Sequence, residues 1–227
     1  MFCKILNRLN SANNLVKQLK ADREDLINLD ESIRRQTAQF LHDRVQSDLM
    51  VVAMKLKSIQ DESSPEVNTV IAKAIARLEN TRTSDLRNLV QILTPNFEGS
   101  SLEEVLKLLI EQYSANFNVS LEVSSAVNSL DENQQLGIFR ISEQALLNSL
   151  VHGPAKNVHI SIKSTPADMI RLSISDDGPG MALSKAKPGV GTAIIDSWVS
   201  ILQGSRKINS EPNKGYQVEI EFPLGSL

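Results

Sequence analysis

Apolar side chains recur along the first part of the chain at alternating steps of three and four. Ile5, Leu9, Ala12, Val16, Leu19, Leu26, Ile33 and Phe40 form one series, with Arg23, Asp30 and Thr37 as its polar members. This is the seam of an interrupted coiled coil, and it predicts a long, self-associating helix. The same spacing would also serve an amphipathic helix packed on its own domain. The helical pattern runs on to about Ile59, where Asp61-Glu62-Ser63-Ser64-Pro65 breaks it. Ser64 is placed to cap a second helix, and Pro65 suits its first turn, where the missing N–H is no loss. Val67, Ile71, Ala74, Ile75, Leu78, Leu86, Leu89, Val90 and Leu93 line that helix, and Thr94-Pro95 stops it. Residues 1–95 therefore read as a coiled-coil lead and a long helical hairpin. A hairpin with an apolar face on both arms cannot bury that face alone. Two of them dimerising into a four-helix bundle would bury it.

After a short polar linker, Asn96 to Ser100, the pattern changes. Ser101-Leu102-Glu103-Glu104 is a capping box that opens a helix to about Phe117. Val119, Leu121 and Val123 alternate as in a half-buried strand. Asp131 opens another helix, to about His152. Val158, Ile160 and Ile162 mark a second strand, Thr165 to Asp168 a turn, and Ile170, Leu172 and Ile174 a third strand. A glycine-rich stretch leads into a helix from about Thr192 to Gln203, and the strands Arg206 to Ser210 and Tyr216 to Phe222 close the chain. Residues 101–227 thus predict an α+β sandwich, with helices on one face of a mixed sheet.

Composition narrows this picture. The chain has 227 residues, 41% of them hydrophobic but only 4% aromatic, so its cores are aliphatic. A net charge of -3 gives no basic footprint for nucleic acid. A single cysteine, Cys3, leaves no internal disulfide and fits a reducing compartment. No apolar run approaches the roughly 18 residues that a membrane span needs. These features read as a cytoplasmic chain.

Three stretches carry candidate chemistry. In SISDDGPGM, an apolar strand delivers Asp176 and Asp177 to a Gly178-Pro179-Gly180 turn. Glycines there permit close backbone approach to a ligand, and a carboxylate at the strand end can accept from a base or sugar. Gly189-Val190-Gly191 precedes a helix whose N-terminal N–H groups suit phosphate, with Lys185 and Lys187 in the intervening loop. In FRISEQALLNSLVHG, Asn148 and His152 lie one turn apart on a second face of an amphipathic helix. An Asn amide oxygen there suits a hydrated Mg²⁺.

The order of these stretches resembles the N, G1 and G2 boxes of the GHKL (Bergerat) ATP-binding fold. The upstream IRRQTAQFLHDRVQSDLMVVAMKL resembles the phosphoacceptor helix of two-component sensor histidine kinases of the nitrate-sensor-like subfamily. The resemblance implies that His42 accepts phosphate from ATP and that Asp43 orients its imidazole. It implies that Asn148 holds Mg²⁺, that Asp177 reads the adenine amino group, and that Gly178, Gly180, Gly189 and Gly191 shape the pocket. His152, Lys185, Lys187 and Thr192 join the nucleotide-binding set. It further implies a homodimer that passes the phosphoryl group to an Asp of a response regulator. The chain departs from the family pattern at several positions. Ser47 stands where a phosphatase-linked Gln is usual, Glu143-Gln144 reverses Gln-Glu, Val151 replaces Lys, Thr192 replaces Leu, and Tyr216 replaces the Thr that approaches adenine. These changes leave a second expectation open, a phosphotransfer or adaptor protein with a degenerate ATP site.

Overall fold

Neither glycine nor proline occurs before Pro65, and the backbone is helical from Phe2 to Gln60. The computed structural model describes residues 2–60, 64–152, 155–180 and 189–225, with backbone only at 2–13, 20, 126, 128 and 190. Helix α1 runs Phe2–Phe40 and α2 runs Gln46–Gln60. Between them, Leu41–Val45 is a single π-helical turn, closed by the Gln46 N–H donating to the Leu41 carbonyl five residues back. Helix α3, Pro65–Asn80, and α4, Leu86–Leu93, are likewise joined by a π turn, Thr81–Asp85, where the Leu86 N–H reaches the Thr81 carbonyl. The predicted pair of unbroken helices is therefore interrupted once on each arm. The first π turn packs on α4 and the second on α2.

Pro65 opens α3 as expected, but the Ser64 side chain forms no cap. Its carbonyl instead accepts the Asn68 N–H at 2.8 Å. Thr94 ends α4 by directing both its N–H (2.9 Å) and its Oγ1 (3.0 Å) to the Val90 carbonyl. Asp30–Asn96 form one unit of the chain, and Phe97–Leu227 together with Met1–Leu29 form the other.

In the second unit, α5 spans Leu102–Glu111, β1 Asn118–Val123, α6 Glu132–Val151, β2 Asn157–Ser164 and β3 Met169–Asp176. Then come α7, Val190–Ile201, β4, Ser205–Ser210, and β5, Tyr216–Pro223. Both capping boxes close: Ser101 with Glu104 on α5, and Asp131 with Gln134 on α6. α5 stops short of the predicted Phe117. Its carbonyls are drawn into tight turns after Glu111, with the Ser114 Oγ donating to the Glu111 carbonyl at 2.8 Å. A 3₁₀ turn at Ser125–Ser129, not predicted, links β1 to α6.

The sheet order is β1-β2-β3-β5-β4, with β1 parallel to β2 and every other pair antiparallel. Alternation sorts its two faces. Ile160, Ile162, Ile170, Leu172, Ile174, Val218, Ile220 and Phe222 point to the helices and are fully buried or nearly so. Phe139, Leu106, Ile195 and Trp198 meet them from α5, α6 and α7. The opposite face is polar, with Arg171 paired to Glu221 (2.6 Å) and Lys163 to Glu122 (2.7 Å). His159 sits there, its Nδ1 2.7 Å from the Ser120 Oγ.

Candidate active site

His42 lies within the first π turn of the hairpin unit, and its side chain is 63% exposed. Its Nδ1 is 3.0 Å from the Asp43 Oδ1. The Gln39 Nε2 donates to the other oxygen of Asp43. Neighbouring side chains on a helix diverge, so the two bend toward each other to make this contact, which lies within the π turn. Hydrogen bonds from His42 and then from Gln39 hold the Asp43 carboxyl below the usual carboxylate range. An ionised Asp43 at Nδ1 favours the tautomer with the proton on Nδ1. The Nε2 lone pair is then the free nucleophile.

The second constellation is built where α6, the end of β3 and the start of α7 converge. Asn148 lies on the last turns of α6, and its Oδ1 accepts from the Gln144 Nε2 at 3.0 Å. Gly191, in the first turn of α7, lies against this pair. A Cβ there would stand 2.5 Å from the Gln144 Nε2 and 2.8 Å from the Asn148 Oδ1. The glycine thus brings a helix N-terminus onto an amide oxygen. Gly189 caps α7 with no side-chain hydrogen bond, so backbone N–H groups of the first turn are left for another acceptor. An oxygen donor set beside an uncapped helix N-terminus suits a polyphosphate with a hard divalent cation. Thr192 is half-buried next to Gly191, and His152 is the exposed C-terminal cap of α6. Lys185 and Lys187 lie outside the described residues.

The two neighbouring aspartates have opposite surroundings. Asp177 lies just past β3. Its Oδ1 accepts the backbone N–H groups of Lys156 (2.7 Å) and Asn157 (2.9 Å), and its Oδ2 accepts the Asn157 Nδ2 (2.8 Å). These bonds, led by Asn157, push its pKa down. Asp177 therefore staples the G1 turn to the start of β2. Asp176 continues the buried alternation of β3 and turns to the helices. Its Oδ2 accepts from the Ser149 Oγ at 2.8 Å and its Oδ1 from the Gly178 N–H at 2.9 Å. The carboxylate tied to α6, through Ser149, is thus Asp176, whereas Asp177, expected to read the base, turns both oxygens to the start of β2. Parity alone carried this signal: Ile170, Leu172 and Ile174 share the face of Asp176.

The turn after these aspartates is locked from below. Gly180 (φ +59°) packs on the carbonyls of Glu211 and Gly215, and the Asn213 N–H donates to the Pro179 carbonyl at 2.6 Å. Gly215 (φ +78°) lies directly on the Asp176 carbonyl, where no Cβ fits. Tyr216 pairs with Asp176 across β3 and β5. Burial raises the Tyr216 phenol's pKa; the Arg206 charge opposes this, and the Asp176 and Asp196 charges add to it. Ser149, Asn157 and Asp176's orientation are the parts that the sequence reading did not assign.

Comparison with known proteins identifies the domain that carries this second constellation. Residues 133–226 match the family of histidine kinase-, DNA gyrase B- and HSP90-like ATPases. That part of the chain is an ATPase domain of this family, and the chain as a whole is similar to sensor histidine kinases along most of its length. It is 27% identical to an uncharacterized sensor-like histidine kinase of Chloroflexus aurantiacus, over 93% of this chain and 38% of that protein. It is 24% identical to the sensor histidine kinase LiaS of Bacillus subtilis, over 84% and 54%. It is also 24% identical to the nitrate/nitrite sensor protein NarX of Escherichia coli, over 88% and 34%. The chain therefore spans about a third to a half of the length of these relatives. Among the described residues, no helix is long and apolar enough to cross a membrane.

Proposed function

We propose that the chain is the cytoplasmic kinase core of a sensor histidine kinase. It works as a homodimer, autophosphorylates His42 from Mg²⁺-ATP, and passes the phosphoryl group to an Asp of a response regulator. The observation that carries this reading is the approach of Gly191 to Asn148 beside Asp176. Gly191 brings a helix N-terminus without a side-chain cap onto the Asn148 amide oxygen, and the next residue on α6, Ser149, donates to Asp176, which supports a nucleotide site there. Asp176 takes the role that the sequence reading gave to Asp177. Mg²⁺ bound at Asn148 would neutralise phosphate charge during transfer. The His42 Nε2 lone pair forms the N–P bond while the bond from the γ-phosphorus to the β–γ bridging oxygen breaks, and ADP leaves. Asp43, at Nδ1, stabilises the positive charge that develops on the ring and accepts its proton. Incubation with γ-labelled ATP tests this: acid-labile, base-stable label is expected on the wild type and absent from His42→Ala and Asn148→Asp. Full labelling of His42→Ala would refute the assignment.

One observation favours a second reading. The Gln144 Nε2 already donates to the Asn148 oxygen that would meet the cation. A degenerate ATP site would leave His42 as a relay between aspartates, or the hairpin as an adaptor. Calorimetry with a non-hydrolysable ATP analogue and Mg²⁺ separates the two, since saturable binding excludes the degenerate site.

A further inference from the structure

We infer that Ser149 is a positioning residue for base recognition: its hydroxyl fixes the Asp176 carboxylate so that the site prefers a 6-amino purine over a 6-oxo purine. The inference rests on the nucleotide-binding reading above and concerns how that site selects its base. Ser149 is nearly buried, 7% exposed, and it follows Asn148 directly on α6. Its Oγ donates to the Asp176 Oδ2 at 2.8 Å while the Gly178 N–H donates to the Oδ1 at 2.9 Å. Each carboxylate oxygen is thus engaged once, by a different donor, and the side chain cannot rotate without breaking one of the two bonds. One lone pair on each oxygen is left for a ligand.

A carboxylate held this way is an acceptor only. It meets an exocyclic amino group with a hydrogen bond and a 6-oxo group with lone-pair repulsion. Without the Ser149 hydroxyl, Gly178 alone restrains the group, and the carboxylate can turn aside from the repulsion. Discrimination then falls. The Ser149 bond also links the two ends of the site, since the residue before it presents the amide oxygen and its own side chain orients the base acceptor.

The test is calorimetry on the whole chain with Mg²⁺, using a non-hydrolysable ATP analogue and its hypoxanthine counterpart. The wild type is expected to prefer the adenine nucleotide. Ser149→Ala should reduce that preference about tenfold, the scale of one hydrogen bond to a charged group. Ser149→Cys, which fills the same space with a weaker donor, should lose most of it too, and Ser149→Thr should keep it. In an Asp176→Asn background, Ser149→Ala should cause no further change in the ratio. A wild type that prefers the adenine nucleotide while Ser149→Ala and Ser149→Cys keep the same ratio overturns this inference alone. A wild type that binds neither nucleotide overturns the nucleotide-binding reading and this inference with it.

Discussion

Val105, Leu106, Leu109, Phe139 and Leu172 keep none of their surface exposed in the ATP-binding unit, whereas Val70, Met54 and Phe40 in the hairpin keep 67%, 61% and 59% of theirs. Both regions are rich in helices with apolar stripes. The difference lies in what each stripe has to cover. α5, α6 and α7 lie on a five-stranded sheet whose inward face alternates at period two, so their stripes are consumed within the chain. The hairpin has only its other arm, which buries Ala38, Ala53 and Ile92 and leaves a larger apolar face open. One region's pattern describes its own core; the other's leaves an apolar surface open, which the proposed homodimer would cover.

The largest expected effect lies on the closed side of this comparison. Phe139→Ala should cost the ATP-binding unit about 3–5 kcal/mol, read by urea unfolding through the fluorescence of Trp198, the single tryptophan. A loss below about 1 kcal/mol would mean that this core is not closed. On the open side, Met54→Glu combined with Val70→Glu should weaken dimerisation at least about tenfold in sedimentation equilibrium, one unpaired charge buried per helix being enough. The Trp198-reported transition should stay where it was. A dimer unchanged by both charges would place the interface elsewhere.

Smaller effects sharpen how the site is held. Gly215→Ala should cost about 1–3 kcal/mol, since it combines a left-handed backbone with overlap on the Asp176 carbonyl. Nucleotide affinity should fall along with stability, because Asp176 moves. Asp131→Ala removes one half of the α6 capping box and should cost about 1 kcal/mol in the same unfolding assay. The last expectation concerns pH. Asp43 in the hairpin and Asp177 in the ATP-binding unit both have lowered pKa values. Each stabilises the fold above its unfolded pKa of about 3.9 and loses that contribution as pH falls through the lower folded value. Carboxyl carbon titrations by NMR should give both midpoints below about 3.9. Asp177→Asn should remove the acid sensitivity of the G1 turn without touching His42, and a midpoint of 3.9 or above at Asp177 would mean that its bonds to Lys156 and Asn157 are not kept in solution.

Where periodicity and burial act together, the fold was legible beforehand. The strands around Ile160, Leu172 and Ile220 and both capping boxes follow from alternation and from Ser, Asp, Glu and Gln at fixed offsets. The end of α5 was not, because apolar Phe117 extends the stripe although the backbone has already turned. The π turns leave no mark in hydrophobic spacing, since their cause is one carbonyl choosing a donor five residues on. Within the site, Asn148, Gly191 and the Gly178-Pro179-Gly180 turn stood out by type and order. The different orientations of Asp176 and Asp177 did not, because two identical carboxylates side by side differ only in the face each one takes.

The π turn at His42 has a consequence for insertions and deletions. It carries one residue more than an α-helical turn, so whatever follows Val45 is rotated about 100° from the face that an unbroken helix would give it. The apolar series of the lead ends at Phe40, immediately before that rotation. Deleting any single residue of 41–45 would turn α2 back by about 100° relative to α1, whatever the identity of the residue removed. Phase along this helix is therefore set by counting residues rather than by any one side chain.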